Sequence, residues 1–285
     1  MITAVALSKR VPNLSVALEN SVYDLERALT VTDSGALRVA RTEWAAYRQV
    51  RGFKYSSPKL LTYPDGQAKL NKSEAFSVGL TLQHSDRAGV ESCPWRGECT
   101  AICVLDNGNG RYPMTQKARD VKTKFLFDHP QAFMVLLGHE LRELSAKHER
   151  VLVRLNMNSD LRFYKILPKL VSGELFPNLF FYDYTKNPAI LSTDGMVAKN
   201  YRLVYSVNES SNMVKVREFV ANGGTAAIVT SRTKKQAPPD SFMGLPVVDG
   251  DITDNRYDEH GAWVDLSAKG KARFLIGKSG FVRTI

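Results

Sequence analysis

One form recurs along the sequence and limits the folds open to it: a short apolar run that ends in polar residues. VLVRLNMNSD (151–160) leads into the helical RFYKILPKLVSG, NLFFYDYTK (178–186) into a Pro-containing connection, and YRLVYSVNES (201–210) into the helical SNMVKVREFVANGG. TAAIVTS (225–231), LPVVDGD (245–251) and AWVDLSA (262–268) repeat the apolar part, and AFSVGLTLQHS (75–85) precedes them all. Apolar runs of this length read as strands buried on both faces, and helices between them make parallel βα units. The expected class is α/β, with about seven parallel strands in a complete or partial βα barrel.

In such a fold the C-terminal ends of the strands converge on one mouth, where active sites are built. Polar residues collect at those ends: Asn156, Ser159 and Asp160, then Asp183, Tyr184, Thr185 and Lys186, then Ser206 and Asn208, Ser231, and finally Asp249 and Asp251. Asp160, Asp183, Lys186 and Asp251 are the candidate catalytic residues. Asn156, Ser159, Tyr184, Ser206, Asp249 and Arg256 are the candidate substrate contacts. Ser159 or Asp160 could equally cap the following helix, and Lys186 could simply pair with Asp183. VVDGDITDNRYD lacks the spacing and the closing Glu of a calcium loop, so it reads as an acidic substrate or magnesium loop, or as a charged turn.

All three cysteines of the 285 residues fall in CPWRGECTAIC, as Cys93, Cys99 and Cys103, just after the first of the apolar runs. An odd number packed into eleven residues is no disulfide framework. Cys99 and Cys103 are four apart and would share a helical face, and Pro94 and Gly97 favour a turn that brings Cys93 back. Three thiolates fit a [4Fe–4S] cluster with one iron left free, or a zinc ion completed by a fourth ligand such as His84. Three inert buried thiols are the remaining alternative. Redox or Lewis-acid catalysis at the mouth is the chemistry a cluster would bring.

Residues 115–149 read as two helices separated at His129–Pro130, because Pro is excluded from a helix interior. SVYDLERALTV and LRVARTEWAAYRQVRG also have helical periodicity, so residues 1–72 read as an N-terminal extension with SSPKLLTYPDGQ as linker, and 73–285 as the barrel-like domain. The start, MITAVALSKR, has too short an apolar run for a signal peptide, and no stretch is long enough to span a membrane, so the expected location is the cytoplasm. With 39 Lys and Arg against 29 Asp and Glu the formal charge is +10, but the basic residues are scattered and SRTKKQ is the one tight cluster. A basic surface attracts nucleic acid without requiring a site for it. A binding protein that engages nucleic acid or a host protein is therefore the alternative to an enzyme. No P-loop, no Gly-x-Ser-x-Gly elbow and no Ser-His-Asp arrangement is present.

CPWRGECTAIC, KARDVKTKFLFDHPQAF, VRLNMNSD, FFYDYTK, VYSVNES and VVDGDITDNR together resemble the bacteriophage Gene product 88 domain family, over about residues 73–285. That resemblance implies a phage-encoded protein acting in the cytoplasm of the host bacterium, without assigning a reaction. A three-cysteine loop after a first strand also resembles the layout of radical S-adenosylmethionine enzymes. The Cys-x5-Cys-x3-Cys spacing departs from theirs, and RLNMNSD stands where a Gly-Gly-Glu-type segment would be.

Overall fold

The computed structural model describes residues 11–53, 59–66, 70–72 and 75–284; MITAVALSKR and part of SSPKLLTYPDGQ lie outside the described residues. Its strands are β1 (Leu61–Thr62), β2 (Phe76–Leu80), β3 (Val151–Arg154), β4 (Leu179–Thr185), β5 (Met196–Ala198), β6 (Tyr201–Ser206), β7 (Ala226–Thr230), β8 (Ser241–Phe242), β9 (Leu245–Asp249), β10 (Trp263–Ser267) and β11 (Val282–Arg283). They form one sheet in the order β1-β2-β3-β4-β6-β7-β10-β9-β8, with β5 paired to β6 and β11 to β7. From β2 to β9 every neighbour along that path is parallel. The seven strands of this array coincide with the seven apolar runs.

The sheet is open, so the complete barrel is corrected. β2, β3, β4, β6 and β7 wind in chain order, as in a βα barrel, but β10 then inserts between β7 and β9. The outer side of β9 is taken by its antiparallel partner β8, and that of β2 by antiparallel β1. The two end strands of the parallel array, β2 and β9, thus cannot pair with each other to close a barrel. The β8–β9 hairpin turns through Met243 and Gly244, both at positive φ (51° and 77°), the backbone of a two-residue type I′ loop.

Side chains alternate across the strands. One face carries Val78, Leu80, Val151, Val153, Leu179, Phe181, Tyr201, Leu203, Ala226, Ile228 and Trp263 into the main core. Helices cover it. Two of them, α4 (Pro113–Asp128) and α5 (Pro130–Lys147), each begin on Pro, whose fixed φ suits the first helical position. The N-terminal helices α1 (Leu14–Glu19), α2 (Leu25–Thr30) and α3 (Ser34–Val50) are capped by the side chains of Asn13, Asp24 and Asp33. Leu14, Leu18, Leu29, Trp44 and Tyr47 belong to the same core as the sheet. Gly138 lets α5 approach α2, because a Cβ there would collide with the Leu29 backbone.

Shorter helices α6 (Phe163–Ile166) and α7 (Pro168–Val171) follow β3, and α8 (Met213–Ala221), capped by Asn212, links β6 to β7. On the opposite face Val204, Ala227 and Val264 make a small cluster with Tyr184, Val248 and Leu266. The segment 250–261 folds over this face. There Arg154 meets Asp254 at 2.9 Å, and Tyr182 donates to the same carboxylate at 3.3 Å.

Candidate functional site

The cysteines lie on the long connection from β2 to α4, which runs along the C-terminal ends of the parallel strands. Its backbone forms only short 3-10 turns, at Glu98–Thr100, Val104–Asp106 and Gly108–Arg111. Side chains and loop contacts pin it instead. Ser92 Oγ donates to the carbonyls of Gln83 (2.5 Å) and Ser85 (3.1 Å), and Ser92 O accepts from the Asp160 N–H at 2.8 Å. Asn158 Nδ2 donates to Leu82 O. The Glu98 N–H donates to Glu209 Oε1, beyond β6, at 3.0 Å, and a Cβ at Gly97 would strike that carboxylate. Cys99 packs on Ile102, Ala268, Ala272, Phe281 and Val282, beyond β10 and on β11. The loop is thus fastened to the ends of β3, β6 and β10.

The three thiols are half-buried and free. Burial pushes the Cys93 thiol up to about 12, with Asp160 and Cys103 acting in the same direction and Lys186 against it. Burial also raises Cys103, helped by Asp106 and Cys99 and opposed by Lys186. Each of these two sulfurs therefore feels another cysteine, and both feel one lysine. Cys93 Sγ stands 3.4 Å from Asn158 O. Among the described residues no three His, Cys, Asp or Glu side chains close on a common point as a metal-holding group. His84, the fourth zinc ligand considered from the sequence, is buried with Nε2 3.4 Å from Asp106 Oδ1, and burial lowers its pKa.

Beside the thiols, three strand ends are tied together. The Lys186 N–H donates to Asp160 Oδ2 at 2.9 Å, and Lys186 Nζ donates to Ser206 Oγ at 3.2 Å. Burial raises the Asp160 carboxyl against the pull of the Lys186 N–H, Thr185 and the Lys186 charge. Asp183 lies deeper, fully buried on the helix-facing side. Its carboxylate accepts from the Asn156 N–H (2.6 Å), Asn156 Nδ2 (3.3 Å) and Tyr201 Oη (2.7 Å). Asn156 Oδ1 in turn accepts from Ser159 Oγ (2.8 Å) and the Leu161 N–H (2.9 Å). Asn156, Ser159 and Asp183 thus build the turn that presents Asp160, and Ser159 caps no helix.

The remaining candidates stand elsewhere. Tyr184 faces the opposite side of the sheet, where Arg256 Nε donates to its hydroxyl at 2.8 Å. Arg256 is itself buried, and its guanidinium also binds Gly250 O, Thr253 O and Glu259. Asp249 and Asp251 belong to a second polar cluster at the ends of β7, β9 and β10. Arg232 reaches Asp265 (2.6 Å), Asp249 (3.0 Å) and Asp251 (3.4 Å), and Lys269 reaches Asp251 at 2.5 Å. Burial acts to raise Asp251, but Lys269 and Ser267 prevail and hold it at about 2.

Sequence reasoning overlooked Arg232, Asp265, Lys269 and Glu209. A signal for one of them was present: Asp265 interrupts the buried strand WVDLS, and a charge there demands a cation. Arg232 falls in the basic cluster SRTKKQ, whose composition suggests a surface role, yet its side chain is 6% exposed.

Among the described residues no helix is long and apolar enough to cross a membrane. Neither a curated protein nor a solved structure matches the chain, so the likeness to radical S-adenosylmethionine enzymes finds no support. One comparison does succeed, and it covers the sheet, the cysteine loop and both polar clusters. Residues 55–285 match the Gene product 88 family, and the chain belongs to that bacteriophage family.

Proposed function

We propose that the loop carrying Cys93, Cys99 and Cys103 binds an iron–sulfur cluster of the [4Fe–4S] type, and that the chain is an enzyme working beside it in the host cytoplasm. The observation that carries this reading is the placement of the loop. Its cysteines are brought to the C-terminal ends of a parallel array, the position where α/β folds hold ligands, next to Asp160 and Lys186. The consecutive winding from β2 to β7 sets the ends of these strands side by side along this edge. Loading would need the loop to draw its thiols together and release their protons, a coupling usual for metal sites.

Cys93, Cys99 and Cys103 would hold the cluster, which would supply Lewis-acid or redox chemistry there. Lys186 supplies a cation for an anionic substrate group, with Ser206 holding its Nζ. Asp160 stands ready as a proton carrier, its carboxyl raised by burial. Asn156, Ser159 and Asp183 position that carboxylate. Asp249 and Asp251 are held in the separate Arg232 cluster, and Tyr184 and Arg256 bind each other on the opposite face, so these four serve the scaffold of the strand ends.

After identical anaerobic reconstitution, Cys93→Ser, Cys99→Ser and Cys103→Ser are each expected to hold less than about a tenth of the wild-type iron and sulfide. Equal iron in all four proteins would overturn the assignment. An equivalent of zinc that disappears with the same substitutions would transfer the site to zinc and to the alternative of a metal-stabilised binding protein.

A further inference from the structure

The segment that closes the chain is basic without relief. Residues 266–285 hold Lys269, Lys271, Arg273, Lys278 and Arg283 and no acidic residue, and 231–239 adds Arg232, Lys234 and Lys235, again with no acid. Arg232 and Lys269 are consumed by the aspartate cluster. Among the described residues the other six form no ion pair with a carboxylate, and all except the half-buried Arg283 are exposed. The two stretches meet at the end of β7, where the Ser231 N–H donates to Arg283 O at 2.9 Å.

Within this basic rim Phe274 is 72% exposed. Farther along the same segment an open cleft of about 570 Å³ is lined by Lys278, Ser279, Arg283 and the backbone of Gly277 and Gly280, with Phe242 and Val282 as its apolar wall. Arg283 Nε is buried there with no hydrogen-bond partner. The rim is also joined to the cysteine loop. Ala272 and Leu275 pack in the cluster that includes Cys99, and Gly280 abuts Glu209, the residue that accepts from the Glu98 N–H.

We infer that this rim binds the backbone of a single-stranded nucleic acid and leads it to the cysteine mouth. Cations without a carboxylate partner, spaced along an exposed segment, suit successive phosphates, and a bare aromatic ring among them suits a base, which stacks on it without regard to sequence. A single strand, unlike a duplex, can follow the rim and bend toward a recessed site. The inference rests on the proposed function only in making the strand its substrate; binding itself requires the rim and not the thiols.

The test is fluorescence anisotropy of the full chain with a labelled single-stranded oligonucleotide of about 20 nucleotides, long enough to exceed the usual site sizes. A rim triple (Lys271→Gln, Arg273→Gln, Lys278→Gln) is compared with a control triple of equal charge (Arg38→Gln, Lys165→Gln, Lys215→Gln). All six positions are exposed, so both triples should keep the wild-type circular dichroism. The rim triple is expected to bind about 10- to 100-fold more weakly and to flatten the salt slope by about 2, given roughly 0.7 per phosphate contact on single strands. Phe274→Ala is expected to weaken binding roughly tenfold. Cys93→Ser should bind like wild type, so loss of the cluster and loss of the nucleic-acid site are separately visible.

Equal weakening by the two triples would overturn the inference, as would binding to phosphatidylserine vesicles in preference to the oligonucleotide. So would a duplex of the same sequence that binds as tightly as the single strand.

Discussion

Asp183→Ala is expected to destabilise the fold by about 3–5 kcal/mol, read by urea unfolding, because it strips a buried acceptor from groups that have no water to turn to. The Asn156 N–H and Nδ2 and the Tyr201 hydroxyl all donate to that carboxylate. The turn they organise also presents Asp160, so the variant should weaken the mouth along with the core. Asp183→Asn keeps the shape and discriminates further. Burial pushes the Asp183 carboxyl up to about 7 against the pull of Tyr201, Arg154 and Asn156. A folded-state value above the unfolded one means that the folded chain holds more protons between about pH 4 and 7. Wild-type stability should therefore fall as pH rises through that window, by up to about 4 kcal/mol from this group. The Asn variant should lose that part of the slope. An unchanged pH profile would show that Asp183 is ionised throughout.

Removing Arg232 should have an effect of similar size. Its guanidinium is the common partner of Asp265, which is fully buried, and of Asp249 and Asp251. Arg232→Met keeps the bulk and leaves Asp265, among the described residues, with the Thr230 hydroxyl, which donates at 2.6 Å. Lys269 still holds Asp251. Stranding a buried carboxylate costs about 3–5 kcal/mol. Asp265→Leu in the Arg232→Met background should recover part of that loss, giving a double-mutant coupling of about 2–3 kcal/mol. Additive effects of the two substitutions would mean that the aspartates are compensated by something other than Arg232.

Most of the parallel array was legible because its strands are short continuous apolar runs, and every such run became a strand of the array, although β9 is only half-buried. The break at His129–Pro130 was legible because Pro tolerates only the first turn of a helix. The order of the strands was not. Nothing local in AWVDLSA shows that β10 enters between β7 and β9, and that insertion keeps the sheet open. The β8–β9 hairpin was missed because its positive-φ turn uses Met243 rather than Asn or Asp.

In the candidate site, the cysteines and the polar ends of β3 and β4 were visible from composition and position, and the structure sets Asp160 against the Lys186 N–H with Cys93 and Cys103 within reach of the Lys186 charge. Neighbouring residues on β4 diverged for a reason that polarity does not encode. Asp183 and Tyr184 point to opposite faces of the sheet, and pairing with Leu203 and Val204 of β6 sets which faces the helices. The role of Arg232 was hidden because its partners come from two other strands, Asp249 and Asp251 from the end of β9 and Asp265 from β10.

The central claim is that Cys93, Cys99 and Cys103 hold an iron–sulfur cluster, and the optical spectrum of the anaerobically purified full chain tests it most directly. The account predicts a brown protein with a broad absorption band near roughly 400 nm, bleached by dithionite, and about four iron and four sulfide per chain. A colourless protein without iron after anaerobic reconstitution would contradict it.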